Sequence, residues 1–176
     1  MCIINVYLTN LGKYNEGELL GEWIELPTTE DALSAVRNRI GINEEYEEEF
    51  LTDWESPFQA VNSIIGEFTS IKYLNEIAKQ LEAIPDDDYQ IINALSDFLD
   101  DLDSIIKAYE DGEYRLYNDC YTMAEVAEVF LDETGAFASL PDFIERYFDY
   151  ESYGRDMEIE GCFSELDNGT YIEIFR

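Results

Sequence analysis

The chain has 176 residues, of which 41 are Asp or Glu, 10 are Lys or Arg and none is His, giving a formal net charge of −31. Hydrophobic content of 46% and aromatic content of 14% are enough for a packed core, which excludes a disordered acidic polymer. Without histidine the chain lacks the commonest general acid/base near neutral pH and the commonest metal ligand, so Ser–His and Cys–His nucleophile pairs are excluded.

The opening CIINVYLTNL is β-branched and apolar and reads as a strand. GKYNEGELLGEWIELP follows with turn chemistry at Asn15 and Gly17, then a second strand ending at Pro27. TTEDALSAVRNRIG reads as a helix, with Thr28 as cap, Asp31 three residues later and Gly41 past the last turn. EEFLTDWESPF returns as a strand. Together these predict a small α+β domain over residues 1–62.

The period then becomes helical. FTSIKYLNEIAKQLEAIP sets Ile71, Leu74, Ile77, Ala78 and Leu81 three or four residues apart and stops at Pro85. DDDYQIINALSDFLDDLDSIIKAY repeats the pattern, with Asp86, Asp87 and Asp88 at an N-terminus where the helix dipole favours negative charge. A helical domain over residues 63–104 is expected.

The third domain, residues 105–176, opens with a strand in EYRLYNDC. YTMAEVAEVFLDETG has Thr122 and Glu125 at capping-box spacing and closes at Gly135; SLPDFIERYFDY is a second helix, with Ser139 and Asp142 at the same spacing. MEIEGCFSEL and TYIEIFR form a hairpin around Asn168-Gly169. The fold class is therefore α+β, in three small abutting domains.

Few chemistries remain open. Cys2, Cys120 and Cys162 lack metal-site or disulfide spacing and read as reduced, buried thiols. DFLDDLDS lacks the glycine and closing glutamate of a calcium loop. A carboxylate pair able to hydrolyse a glycosidic bond would arise by chance among so many acids and signals nothing. No catalytic, cofactor-binding or metal-binding residue is expected. The first 25 residues carry no basic-flanked apolar run, and no apolar stretch approaches 18 residues, which predicts a cytoplasmic protein without a membrane span.

The charge is spread over the whole chain. Residues 1–60 hold 13 acids and 3 bases, residues 61–104 hold 10 and 2, and residues 105–176 hold 18 and 5. In NEEYEEEFLTDWESPF, residues 43–58, seven acids alternate with aromatic and aliphatic groups that would anchor a core. Solubility needs a net charge of about 2 to 8, and salt adaptation would not keep 13 Tyr and 10 Phe. A polyanion copy explains the excess better: at the charge density of duplex DNA, 31 charges cover about 53 Å. Such a surface repels nucleic acid and anionic lipid and attracts a basic partner. Glu125, Glu128 and Asp132 share one helix face, and Asp142, Glu145 and Asp149 share another, opposite Phe143, Ile144, Tyr147 and Phe148. The full anionic set comprises these six with Glu44, Glu45, Glu47, Glu48, Glu49, Asp86, Asp87, Asp88, Asp97, Asp100, Asp101 and Asp103.

YLTNLGKYNEGELLGEWIELP, NEEYEEEFLTDWESPF and FLDETGAFASLPDFIERYFDYESYGRDMEIEG, in that order, resemble antirestriction proteins of the ArdA family. The resemblance implies an elongated, dimeric three-domain protein that mimics bent B-form DNA. It implies occupation of the DNA groove of Type I restriction–modification enzymes, on their methyltransferase and specificity core, for the protection of DNA entering on mobile elements. The family's antirestriction motif falls on VFLDETGAFASLPDFIERY, residues 129–147, and the third domain carries the dimer contact. Candidates for that contact are Phe137, Leu140, Pro141, Phe143 and Tyr147, for which core packing is an equal alternative. A second functional reading is an acidic module for another basic, nucleoid-like protein.

Overall fold

The computed structural model describes residues 3–166 and 169–175, and of Asp142 the backbone only. Cys2 and Asn168 lie outside the described residues. The chain groups into two compact units, residues 1–89 and 90–176, the division falling within the helical segment. Small antiparallel sheets and helices make up both, so the fold is α+β.

In the first unit, strands β1 (Ile4–Asn10), β2 (Gly21–Leu26) and β3 (Glu49–Glu55) form a sheet in the order β2-β1-β3, every pair antiparallel. Alternation sends Ile4, Val6 and Leu8 into the core, where they meet Ile24 and Leu26 of β2. A bulge at Thr52 shifts β3 by one residue, so that Leu51 lies opposite Leu8 while Asp53 stays opposite Tyr7. The β1–β2 connection holds a short helix, α1 (Leu11–Asn15), which the sequence reading treated as a turn; Asn10 caps it by accepting from the Lys13 N–H at 3.0 Å.

Helix α2 (Glu30–Arg39) has Glu30 and Asp31 in its first turn and Arg37 and Arg39 in its last, each matched to the helix dipole. Its cap is Thr29, accepting from Ala32 N–H at 3.2 Å, and not Thr28 as expected. The Thr28 backbone is instead engaged by Asn75, through bonds of 2.6 and 3.1 Å. Gly41, at φ +77, ends the helix in the left-handed conformation open to glycine. After α3 (Gln59–Ile64), α4 (Ile71–Leu81) buries Ile71, Leu74, Ile77, Ala78 and Leu81, the stripe its spacing predicts. Asp86–Asp88 form a 3-10 turn leading into α5 (Tyr89–Ser96).

In the second unit, α6 (Leu102–Asp111) is capped by Asp101 and buries Leu102, Ile105 and Ala108. The sheet of β4 (Tyr114–Asn118), β5 (Phe163–Leu166) and β6 (Thr170–Ile174) runs in the order β4-β6-β5. Leu166 pairs with Thr170, and Gly169 has φ +71, which places the hairpin where it was expected. Helix α7 (Met123–Glu133) opens with the complete Thr122–Glu125 capping box. Tyr117, Cys120, Met123 and Val126 form a core against which Phe130, Met157, Phe163 and Tyr171 pack.

Residues 139–160 depart from expectation. The helix read in SLPDFIERYFDY is only the single turn α8 (Asp142–Glu145), whose N-terminus at Pro141 has no side-chain cap. Phe148 N–H bonds back three residues to the Glu145 carbonyl, which closes that turn, and Asp149 caps a new helix, α9 (Tyr150–Glu160). Met157–Glu160, expected as strand, belong to α9, so only Phe163–Leu166 extend. Among the described residues no helix is long and apolar enough to cross a membrane.

Candidate functional site

Forty-one acids cannot be neutralised by ten bases, so the surface is anionic whatever pairs form. Among the described residues the only buried polar or charged side chains are Thr9 and Asn10. No described carboxylate therefore pays the desolvation of a core position. Residues 1–89 contain 19 acids and 5 bases, residues 90–176 contain 22 and 5, so both units carry the excess.

The acidic run after α2 is held in place by its neighbours. The Asn43 side chain accepts from Glu45 N–H at 2.8 Å and Tyr46 N–H at 3.1 Å, an Asx turn that fixes the backbone. Tyr46 lies against Gly12, where a Cβ would collide with its ring, and its hydroxyl donates to Glu16 at 2.9 Å. Lys13 stands 4.4 Å from the centre of that ring and bonds Glu16 at 2.8 Å. Hydrogen bonds from Lys13 and Tyr46 hold the Glu16 carboxyl below its ordinary range. From this frame Glu44, Glu45, Glu47 and Glu48 project into solvent. Glu49 does not: Arg37 grips it through two bonds of 2.7 and 2.5 Å, which removes it from the free set. Arg39 holds Glu22 in the same forked way, and that hydrogen bonding lowers the Glu22 carboxyl.

In the helical stretch Asp86, Asp87, Asp97, Asp100, Asp101 and Asp103 are exposed and Asp88 is half-buried. Burial, with Asp86 beside it, pushes the Tyr89 phenol up to about 12. Asp101 is committed to capping α6 through Ser104 N–H at 2.9 Å, and bonding to Ser104 lowers its carboxyl.

Glu125 turns back to accept from Tyr121 and Thr122 N–H groups at 2.6 and 3.0 Å, so its charge serves the start of α7. Glu128 and Asp132 continue along α7 and meet Glu145 around a cleft of about 310 Å³, floored by Val129, Phe137 and Tyr150. Burial, then the charges of Glu145, Glu128 and Asp132, raise the Tyr150 phenol. The row expected from Asp142 through Glu145 to Asp149 is not one helix face, because Asp149 starts α9 and accepts from Ser152 N–H at 3.0 Å. The Asp142 side chain lies outside the description. Sequence reasoning also missed Glu151, Asp156, Glu158 and Glu160, which α9 exposes; Asp149 three residues before Ser152, and Gly161 after the last turn, were the available signals.

Of the apolar candidates in this region, Phe137 is half-buried, edge-on to Phe148 at 5.2 Å. Leu140, Pro141, Phe143 and Tyr147 are exposed, Tyr147 by 86%, and so is Ile144. Phe137 thus packs on a neighbouring ring, while the other candidates are open to solvent. Among the described residues no group of three or more His, Cys, Asp or Glu could hold a metal ion.

Compared with known proteins, residues 6–172 match the family model of the antirestriction protein ArdA, which covers nearly the whole chain. No curated protein matches it.

Proposed function

From the premise that this chain belongs to the ArdA antirestriction family, whose targets are restriction–modification enzymes, we propose that it acts as a mimic of duplex DNA. Its carboxylates stand in for phosphates and occupy the DNA-binding groove of Type I restriction–modification enzymes, on the methyltransferase and specificity core. Incoming mobile DNA is thereby spared cleavage. The inhibitor performs no chemistry: it is a cytoplasmic homodimer joined through the exposed apolar segment of the second unit, with Leu140, Pro141, Phe143 and Tyr147 as contacts and Phe137 behind them.

The observation that carries this reading is that no described carboxylate lies in a core while 31 more acids than bases must be placed. A groove built for DNA offers a row of Lys and Arg that displaces the condensed cations of an entering polyanion, and closely spaced, ordered carboxylates release theirs in the same way. Order matters because a surface already fixed by Asx turns, caps and forked arginine pairs loses little freedom on binding.

Displacement tests it. Titrated against a Type I enzyme holding labelled DNA, the protein should release the DNA competitively, with an affinity that falls steeply from 50 to 200 mM salt. DNA binding undiminished at saturating protein would refute the proposal. Retention of a nucleoid-like protein in preference to the enzyme would favour a general acidic module instead.

A further inference from the structure

The first unit has a feature that charge mimicry alone does not use. Because Ile4, Val6 and Leu8 fill the core, Tyr7 is turned to the outer face of the sheet, where it meets Trp23 across the strand pair, edge-on at 5.4 Å. Gly21 makes room for it: a Cβ there would lie 2.5 Å from the Tyr7 ring, whose hydroxyl donates to the Gly21 carbonyl at 3.0 Å. Tyr14 on α1 stands edge-on to Phe50 on β3 at 5.2 Å. These four rings wall a cleft of about 490 Å³, with Asp53 and Glu67 also lining it.

Two of the walls stay wet, Tyr14 by 50% and Trp23 by 42%. Scattered exposed aromatics need no explanation. Here they converge on one concavity of ligand-site size, pre-formed by strand register. No basic residue lines the cleft, and its two charged groups are both carboxylates. Asp53 spends one oxygen on the Trp54 N–H at 2.9 Å. Aromatic faces with carboxylates are the chemistry that binds a desolvated cation.

We propose that this cleft receives one arginine side chain of the basic partner, its guanidinium stacked on Trp23 and Tyr14 and bonded to Asp53 and Glu67. Guanidinium is preferred over ammonium because it is planar, weakly hydrated and matches a carboxylate with two parallel bonds. The inference rests on the reading of a basic protein partner, and adds to it one directional contact among many diffuse ones.

The test uses the full-length, nitrogen-15-labelled protein at 150 mM salt and N-acetyl-arginine amide as probe. The chain has two Trp, so the Trp23 indole N–H reports the cleft while that of Trp54 serves as control. The Trp23 resonance should shift saturably and that of Trp54 much less. N-acetyl-lysine amide should bind about threefold more weakly, and N-acetyl-leucine amide not measurably. The exposed pair Asp53→Asn with Glu67→Gln should weaken the arginine probe about fivefold, and Tyr14→Leu about threefold. Equal shifts of both indoles, equal affinity for the leucine probe, no change in the double variant, or shifts produced by protein concentration alone would each overturn the inference. Failure here with DNA displacement intact removes the cleft and leaves the proposed function; failure of displacement with the probe still bound does the reverse.

Discussion

Gly154→Ala gives the sharpest prediction because two effects of opposite sign meet there. On a free helix the change stabilises by about 1 kcal/mol, since glycine loses more backbone freedom on folding. Gly154, however, is the buried residue of α9 and lies against the first turn of α7. A Cβ would collide with the Met123 carbonyl oxygen, 2.5 Å from the carbonyl carbon and 2.9 Å from Ala124 N. These are backbone atoms, fixed by the Thr122–Glu125 capping box, and cannot rotate aside. Restoring ordinary van der Waals separation requires α7 and α9 to part by about 1 Å. Overpacking of this kind costs about 3 kcal/mol at its upper end, which leaves a net loss of about 2 kcal/mol after the helix gain. For a chain this long the melting temperature should fall by about 4–8 °C. Thermal melting followed by far-UV circular dichroism measures it. A rise in melting temperature would refute the reasoning, since it would mean that helix propensity wins and the close approach is absent. Because α7 carries Glu128 and Asp132, the variant should also inhibit less well while still folded.

Charge removal should act collectively. Glu128→Gln alone should raise the inhibitory concentration less than about twofold, whereas Glu128, Asp132 and Glu145 changed together to amides should raise it severalfold at low salt and less at high salt; abolition by the single change would point to a localised site. Bonds from Ser152 hold the Asp149 carboxyl below its ordinary range, so its capping contribution is complete above about pH 4 and disappears as pH falls through the lower native value. Asp149→Asn keeps an acceptor but does not titrate, so its melting temperature should fall less between pH 4.5 and 2.5 than that of the parent; equal falls would contradict the assignment. Cys120 is 1% exposed and burial raises its thiol pKa, so at pH 8 an aromatic disulfide reagent should label it only on unfolding, as read by peptide mass mapping.

What the sequence disclosed depended on whether an element buries an apolar stripe. The α4 stripe and the Thr122–Glu125 box were both readable, because periodic Ile and Leu, or a Thr and Glu three apart, are local signals. Helix α9 was harder to read: its packing face is Tyr150, Tyr153 and Met157, half-buried around Gly154, and its MEIE end imitates strand alternation. Helix α1 has five residues and contains a glycine, too short for any period. Phe143, Ile144 and Tyr147 misled in the other direction: their spacing imitates a core face, but the helix stops after one turn and leaves them in water. The acidity was plain from composition. Which acids are committed was only partly plain: Glu125 follows from its box, and Asp101 and Asp149 stand three residues before Ser104 and Ser152, whereas the Arg37 grip on Glu49 exists only once folding brings α2 and β3 together.

The account stands or falls on where the carboxylates go when the inhibitor is bound. A structure of the protein on a Type I restriction–modification enzyme, superposed on the same enzyme with DNA, measures this directly. Exposed acids such as Glu44, Glu47, Glu128 and Asp132 are predicted to face the groove residues that contact phosphates in the DNA complex. An inhibitor seated outside the groove, with the phosphate-binding residues left free, would contradict it.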